Sequence, residues 1–150
     1  MSDKRGDRKR QLKKLRNPDV YKGNESVKLT DSVVSTQIDY PVFSFKHVVS
    51  GYGVKECDKQ AKCDLLGKLA VMSQKTWSEL LRGSHFSGAG FEKIPRKQIK
   101  TSLPKSLTED VSELYSIRFN SLSSRLIGHK SGHIFHITHI DVNLSAYDHS

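Results

Sequence analysis

The chain has 150 residues, 35% of them hydrophobic, and a net charge of +9, so it has material for one core and one domain. Its two cysteines, Cys57 and Cys63, stand six positions apart, which excludes a disulfide scaffold and fits neither a CxxC zinc pair nor a redox motif. No apolar run approaches the ~18 residues of a membrane span, and the N-terminus lacks the apolar stretch of a secretory signal. The expectation is a cytoplasmic protein with no membrane attachment.

The charge is unevenly placed. Residues 1 to 16 carry eight basic side chains (Lys4, Arg5, Arg8, Lys9, Arg10, Lys13, Lys14 and Arg16) against Asp3 and Asp7, a net +6. The other 134 residues hold 17 basic and 14 acidic side chains. A dense basic segment binds polyanions by counterion release and needs no fold to do so. Residues 17 to 35 are polar with scattered Val, and such a segment buries too little to offset its ordering entropy. Residues 1–35 therefore read as a disordered basic arm, and residues 36–150 as a single α+β domain.

Taken in chain order, Pro41 to Val49 alternates, with Phe43, Phe45 and His47 on one side, and reads as a strand. Ser50 to Gly53 breaks it. Cys57, Ala61, Leu65, Leu69 and Met72 then recur at helical spacing, with Leu66 and Ala70 widening the stripe. Ser73 is the expected N-cap of a second, shorter helix carrying Trp77, Leu80 and Leu81, which Gly83 ends. Trp77 reads as core. The Gly88 and Gly90 segment lacks P-loop spacing and reads as a turn. Ile94 to Ile99 is a short strand that Pro95 assigns to a sheet edge. Leu114 to Phe119, Arg125 to Lys130 and His133 to Asp141 form a three-strand meander turning at Ser131-Gly132, with Leu144 to Tyr147 as an extension of the last strand. The expected architecture is an antiparallel sheet of four to five strands with two helices packed on one face.

Five of the seven histidines fall in the last 22 residues. Strand alternation places His133, Phe135, Ile137 and His139 on one face, and Ile134, His136, Thr138 and Ile140 on the other. His133 and His139 are then about 20 Å apart, too far to share a metal ion. His129 is suited to act as acid, base or phosphate contact. Arg118 and Arg125 fall on neighbouring strands, where cations would stabilise the charge of a phosphorane. Carboxylates are too sparse in this third of the chain for two-metal nuclease chemistry. No metal and no cofactor is expected.

The run Arg125-Leu126-Ile127-Gly128-His129-Lys130-Ser131-Gly132-His133-Ile134-Phe135-His136-Ile137, with the order of elements around it, resembles the RelE/ParE-like toxin superfamily over roughly residues 38 to 149. That resemblance implies a RelE-like toxin acting as a metal-independent RNA endonuclease or translation inhibitor. Arg118 and Arg125 would stabilise phosphate, and Tyr147 or His149 would be the terminal acid or base; His129, at the tip of the β-hairpin, is the further catalytic candidate that the residues themselves suggest. The long basic arm is a departure from that family; on charge rather than resemblance, RNA contacts would come from Arg5, Arg8, Arg10, Lys13, Lys14, Arg16, Arg82, Arg96, Lys97 and Lys130. The implied partners are RNA or the ribosome and a cognate antitoxin protein. Thr76-Trp77, the Gly88 to Ile94 segment and Ala146-Tyr147-Asp148-His149 look like a distinct subgroup of small bacterial proteins. Two other readings fit the same residues: a non-catalytic RNA- or ribosome-binding protein, and the protein-interaction half of a toxin–antitoxin pair.

Overall fold

The structure, a computed structural model, describes residues 39–83 and 90–148. The basic arm expected over residues 1–35 and His149 lie outside the described residues. The elements are β1 (Val42–Ser44), α1 (Lys59–Ser73), α2 (Trp77–Arg82), β2 (Glu92–Pro95), β3 (Glu113–Arg118), β4 (Arg125–Ser131) and β5 (Ile134–Asp141).

The five strands form one sheet in the order β1-β5-β4-β3-β2. The three-strand meander is as expected, but the sheet is mixed, not wholly antiparallel. β1 runs parallel to β5, with Val42 opposite Ile134 and Ser44 opposite His136. The cause is connectivity. After β1 the chain crosses through both helices to the far edge, and three reversals then bring β5 back in the direction of β1. Pro95 sits on the edge strand β2, opposite Glu113, where its missing N–H leaves no gap in the ladder.

Helix α1 starts where Asp58 accepts a hydrogen bond from the Ala61 backbone N–H at 2.7 Å. Its stripe of Ala61, Leu65, Leu69 and Met72 is buried, each of the larger side chains contributing about 1.5–3 kcal/mol on transfer from water. Leu66 is 67% exposed and Ala70 also faces solvent, so the stripe is narrower than the sequence pattern. Ser73 is not the cap of α2. It closes α1, donating to Leu69 O at 2.6 Å. The cap is Thr76, whose side chain accepts from Glu79 N while Glu79 accepts from Thr76 N, a reciprocal pair that satisfies two otherwise orphaned donors. Trp77 and Leu80 are buried but Leu81 is exposed. Gly83 ends the helix in an extended conformation, φ −61°, and the chain returns at Gly90 close enough that a Cβ there would meet Gly83 O at 1.8 Å.

Two apolar clusters lie on opposite faces of the sheet. The larger joins α1 and α2 to Ile117, Leu126, Phe135, Ile137 and Ile140, so both helices cover one face. The smaller joins Ile94, Leu114 and Ile127 to Ala146 and Tyr147, with Ile99, Leu103 and Leu107 against it; here loops form the cover. Among the described residues no helix is long and apolar enough to cross a membrane.

Three local departures shape the loop-covered face. β1 stops at Ser44 and the chain turns, Val48 N donating to Phe45 O, so His47 is not in the strand. β5 does not continue beyond Asp141. The Asp141 carboxylate accepts from Ser145 N at 3.0 Å and Ala146 N at 2.9 Å, Leu144 takes a positive φ of 56°, and the chain doubles back until Tyr147 bridges Ile99. Finally, β5 carries a bulge against β4. Ile127 pairs with His139 but Gly128 pairs with Ile137, which leaves Thr138 as an extra residue and reverses the alternation beyond it. Ile140 therefore joins Phe135 and Ile137 on the helix face, and His139 moves to the other side.

Candidate functional site

The loop-covered face presents two polar groupings, separated by buried side chains. The first lies at the end of β3 and the beginning of β4, where Arg118 and Arg125 are register partners. Directly opposed antiparallel residues have Cβ atoms about 4.5–5.5 Å apart, and like charges in that relation repel. The ion pairs among the described residues are Lys93–Glu113 and Lys100–Asp148, and neither involves these arginines. The Nε of Arg125 is buried with no hydrogen-bond partner. Across the other side of β4, Arg125 faces Asp141 in register, but that carboxylate is taken up by the two backbone amides of the turn. The register thus starts two arginine side chains from opposed positions on one face, and the buried Nε of Arg125 has donor capacity left over, an arrangement suited to an oxyanion.

The second grouping is a cleft of about 160 Å³ where strands β4 and β5 meet the 104–107 loop. His129 and His136 are register partners across β4 and β5, and the His47 ring stands 5.4 Å from that of His136, centroid to centroid. Ser106 Oγ lies 2.9 Å from His47 Nδ1, and Ser131 and Thr138 add hydroxyls to the wall. The Nδ1 atoms of His129 and His136 are both buried without a partner. Burial pushes the pKa of His129 below its ordinary value, reinforced by His136 and opposed by Asp110. Burial also lowers that of His136, with His47 and Lys46 adding to the effect. Both rings are therefore neutral at neutral pH, able to accept a proton.

His139 lies deeper and is fully buried. Its Nε2 is 2.8 Å from Thr101 Oγ1, its Nδ1 is 2.9 Å from Thr138 Oγ1, and Tyr52 stands edge-on at 4.9 Å. Burial lowers its pKa to about 4, although Asp141 and a hydrogen bond with Ser102 pull the other way. This is a satisfied core histidine.

The residues expected to act together are dispersed. Arg118 and Arg125 adjoin each other, but His129 is four residues farther along β4, about 13 Å away. Tyr147 is 5% exposed, and its hydroxyl lies 3.3 Å from Ser116 Oγ within the smaller apolar cluster, so it offers no accessible acid. Arg96 holds a loop. Its guanidinium donates to the carbonyls of Thr108 at 2.5 Å, Val111 at 3.1 Å and Leu107 at 3.3 Å. Lys97 beside it is exposed. Arg82 bonds Ser78 O within its own helix. Lys130 lies on the helix side, 5.1 Å from the Trp77 ring centre, and donates to Gly132 O at 2.7 Å. Arg5, Arg8, Arg10, Lys13, Lys14, Arg16 and His149 are outside the described residues. Sequence reasoning missed the joining of His47 to His136, because it places His47 in a strand that ends before reaching it.

Among the described residues no three His, Cys, Asp or Glu side chains are placed to hold a metal ion. Comparison with known proteins found no matching family model, no matching curated protein and no matching solved structure.

Proposed function

We propose that this protein binds RNA through its phosphodiester backbone and inhibits translation in the manner of a RelE-like toxin, with a phosphate held between Arg118 and Arg125. The observation that supports this most is the direct register pairing of the two arginines with the Arg125 Nε buried and unpartnered. Like charges at directly opposed strand positions are unfavourable, an anion between them relieves this, and a phosphate offers each guanidinium the bidentate acceptor geometry it fits best. The eight basic residues of positions 1 to 16 would add a sequence-independent attraction that weakens steeply with salt. The cognate antitoxin and the ribosome are the partners this reading calls for.

RNA cleavage is the second reading, favoured by the lowered pKa of His129, which leaves a neutral base near pH 7. The separation of about 13 Å from Arg125 along β4 places binding ahead of cleavage.

The test is a cell-free translation reaction with mRNA 5′ ends mapped, run with the wild-type chain and with the Arg118→Ala/Arg125→Ala double variant. Inhibition by the wild type alone, with intact mRNA, supports binding through the arginine pair. New 5′ ends that vanish in the variant favour cleavage. Undiminished translation with the wild-type protein refutes both.

A further inference from the structure

The arginine pair leaves the histidine cleft unexplained. The two are separated by Ile127 and His139, both fully buried, so the cleft is a distinct place on the molecule. Three separate elements bring its imidazoles together: the turn after β1 supplies His47, β4 supplies His129 and β5 supplies His136. The meeting of His129 and His136 depends on register, since the bulge at Thr138 falls just beyond them.

Its chemistry has a sign. The walls carry imidazoles, hydroxyls, Pro104 and Leu107, and no carboxylate. The charged groups that act on the rings are Lys46 on His136 and Asp110 on His129. The Nδ1 atoms of His129 and His136 have no partner, and a buried polar atom in that condition calls for one. A volume of about 160 Å³ corresponds to about five water volumes, enough for a tetrahedral oxyanion and small for a nucleoside or other drug-sized ligand.

We propose that this cleft is a phosphate-binding site, taking either free phosphate or the terminal phosphate of a nucleotide chain, and that the ion enters together with a proton. The phosphate oxygens accept from the imidazole N–H groups and from the hydroxyls of Ser106 and Ser131. In the empty cleft, a charge on one imidazole disfavours a charge on the next, since the His47 and His136 ring centres are 5.4 Å apart and His129 faces His136 in register. A bound dianion reverses that balance, raising the pKa of the rings around it. Affinity therefore rises as pH falls toward the histidine range, with Lys46 aiding and Asp110 opposing the anion.

The experiment is histidine NMR on the full chain, following ring resonances through a pH titration. Three probes are compared: inorganic phosphate, a short oligoribonucleotide with a 5′-phosphate, and the same oligoribonucleotide without it. The expected result is an upward shift of about one pKa unit or more at His129 and His136, accompanied by proton uptake in calorimetry, with His139 unmoved. A shift with inorganic phosphate identifies a site for the free ion. A shift only with the 5′-phosphorylated oligomer identifies a terminal-phosphate site. The Arg118→Ala/Arg125→Ala variant is expected to retain the shift, whatever becomes of its RNA binding, which separates this site from the one above. His136→Asn is expected to lose it. Absence of a shift with every probe in the wild-type chain overturns the proposal, as does a shift equally large with the unphosphorylated oligomer or one that survives His136→Asn.

Discussion

Gly128 gives the sharpest test of how the sheet is packed. It lies on β4 beside the bulge, and a Cβ built there would fall 2.4 Å from His136 O, 2.8 Å from Phe135 Cζ and 2.9 Å from Phe135 Cε1. The carbonyl belongs to a paired strand and cannot swing aside. The Phe135 ring is fully buried and wedged against Trp77 and Phe91 at 6.1 and 5.0 Å. Gly128→Ala must therefore move β5 or strain the core, and overpacking of this kind costs about 2–3 kcal/mol. Gly67, inside α1, supplies the opposite sign. Nothing lies within 4 Å of its added Cβ, so Gly67→Ala gains about 0.5–1 kcal/mol from helix preference. Urea unfolding of both variants, with unchanged denaturant slopes, measures the two directly. A Gly128→Ala protein within ~0.5 kcal/mol of wild type would mean that β4 and β5 are not in this register, and the pairing of His129 with His136 would fall with it.

Other expectations concern pH, a cap and a loop. His139 has its pKa lowered from 6.5 to about 4, so between those values the unfolded chain binds a proton that the folded chain refuses. Its contribution is complete above pH ~6.5 and is lost as pH falls toward ~4, a change on the order of 3 kcal/mol. Denaturation at pH 7 and pH 5 should show a shallower pH dependence for His139→Gln, and equal dependences would show that the ring is not excluded from water. Thr76→Ala removes the α2 cap and should cost about 1 kcal/mol. Hydrogen bonds from Thr76 also hold the Glu79 carboxyl below its ordinary pKa, so that part of the cap weakens as pH falls through the carboxylate range, and a wild-type chain no more stable than Thr76→Ala in urea would dismiss the cap. Arg96→Ala should speed amide exchange across residues 107 to 111, where its guanidinium holds the carbonyls of Leu107, Thr108 and Val111, while Lys97→Ala leaves exchange unchanged; the same rate in both would refute the clamp.

The helix-side core was the most legible part of the chain. Ala61, Leu65, Leu69 and Met72 repeat with a period set by α-helix geometry alone, and all four are buried. The meander was legible for a similar reason, since short turns join alternating segments, and Gly132 takes the positive φ of 57° that a two-residue hairpin loop requires. What stayed hidden depended on partners distant in sequence. The parallel pairing of β1 follows from where the crossover deposits the chain. Ser73 and Thr76 are both acceptable N-caps by type, and only Glu79, three residues after Thr76, completes the reciprocal bonds. Arg96 shows the same limit for function. Its charge suggests RNA, yet the nearest acceptors are carbonyls eleven to fifteen residues ahead.

The bulge at Thr138 decides the character of the loop-covered face. Under strict alternation His139 would join Phe135 and Ile137 against the helices, and Ile140 would face the loops. One extra residue exchanges them, so the helix-side core gains Ile140 while His139 faces Tyr52 and Thr101. The bulged residue is itself secured, Thr138 Oγ1 donating to Ile127 O at 3.2 Å and Thr138 O accepting from Val49 N at 2.9 Å. That second bond ties β5 to the segment just after His47. The feature that sends one histidine into the core thus also fixes the chain carrying another beside His136. A core histidine kept neutral by burial and a cleft of partly unpartnered histidines are then two consequences of a single irregularity, and it is the cleft, with open volume and unmet hydrogen-bonding capacity, that has chemistry left to perform.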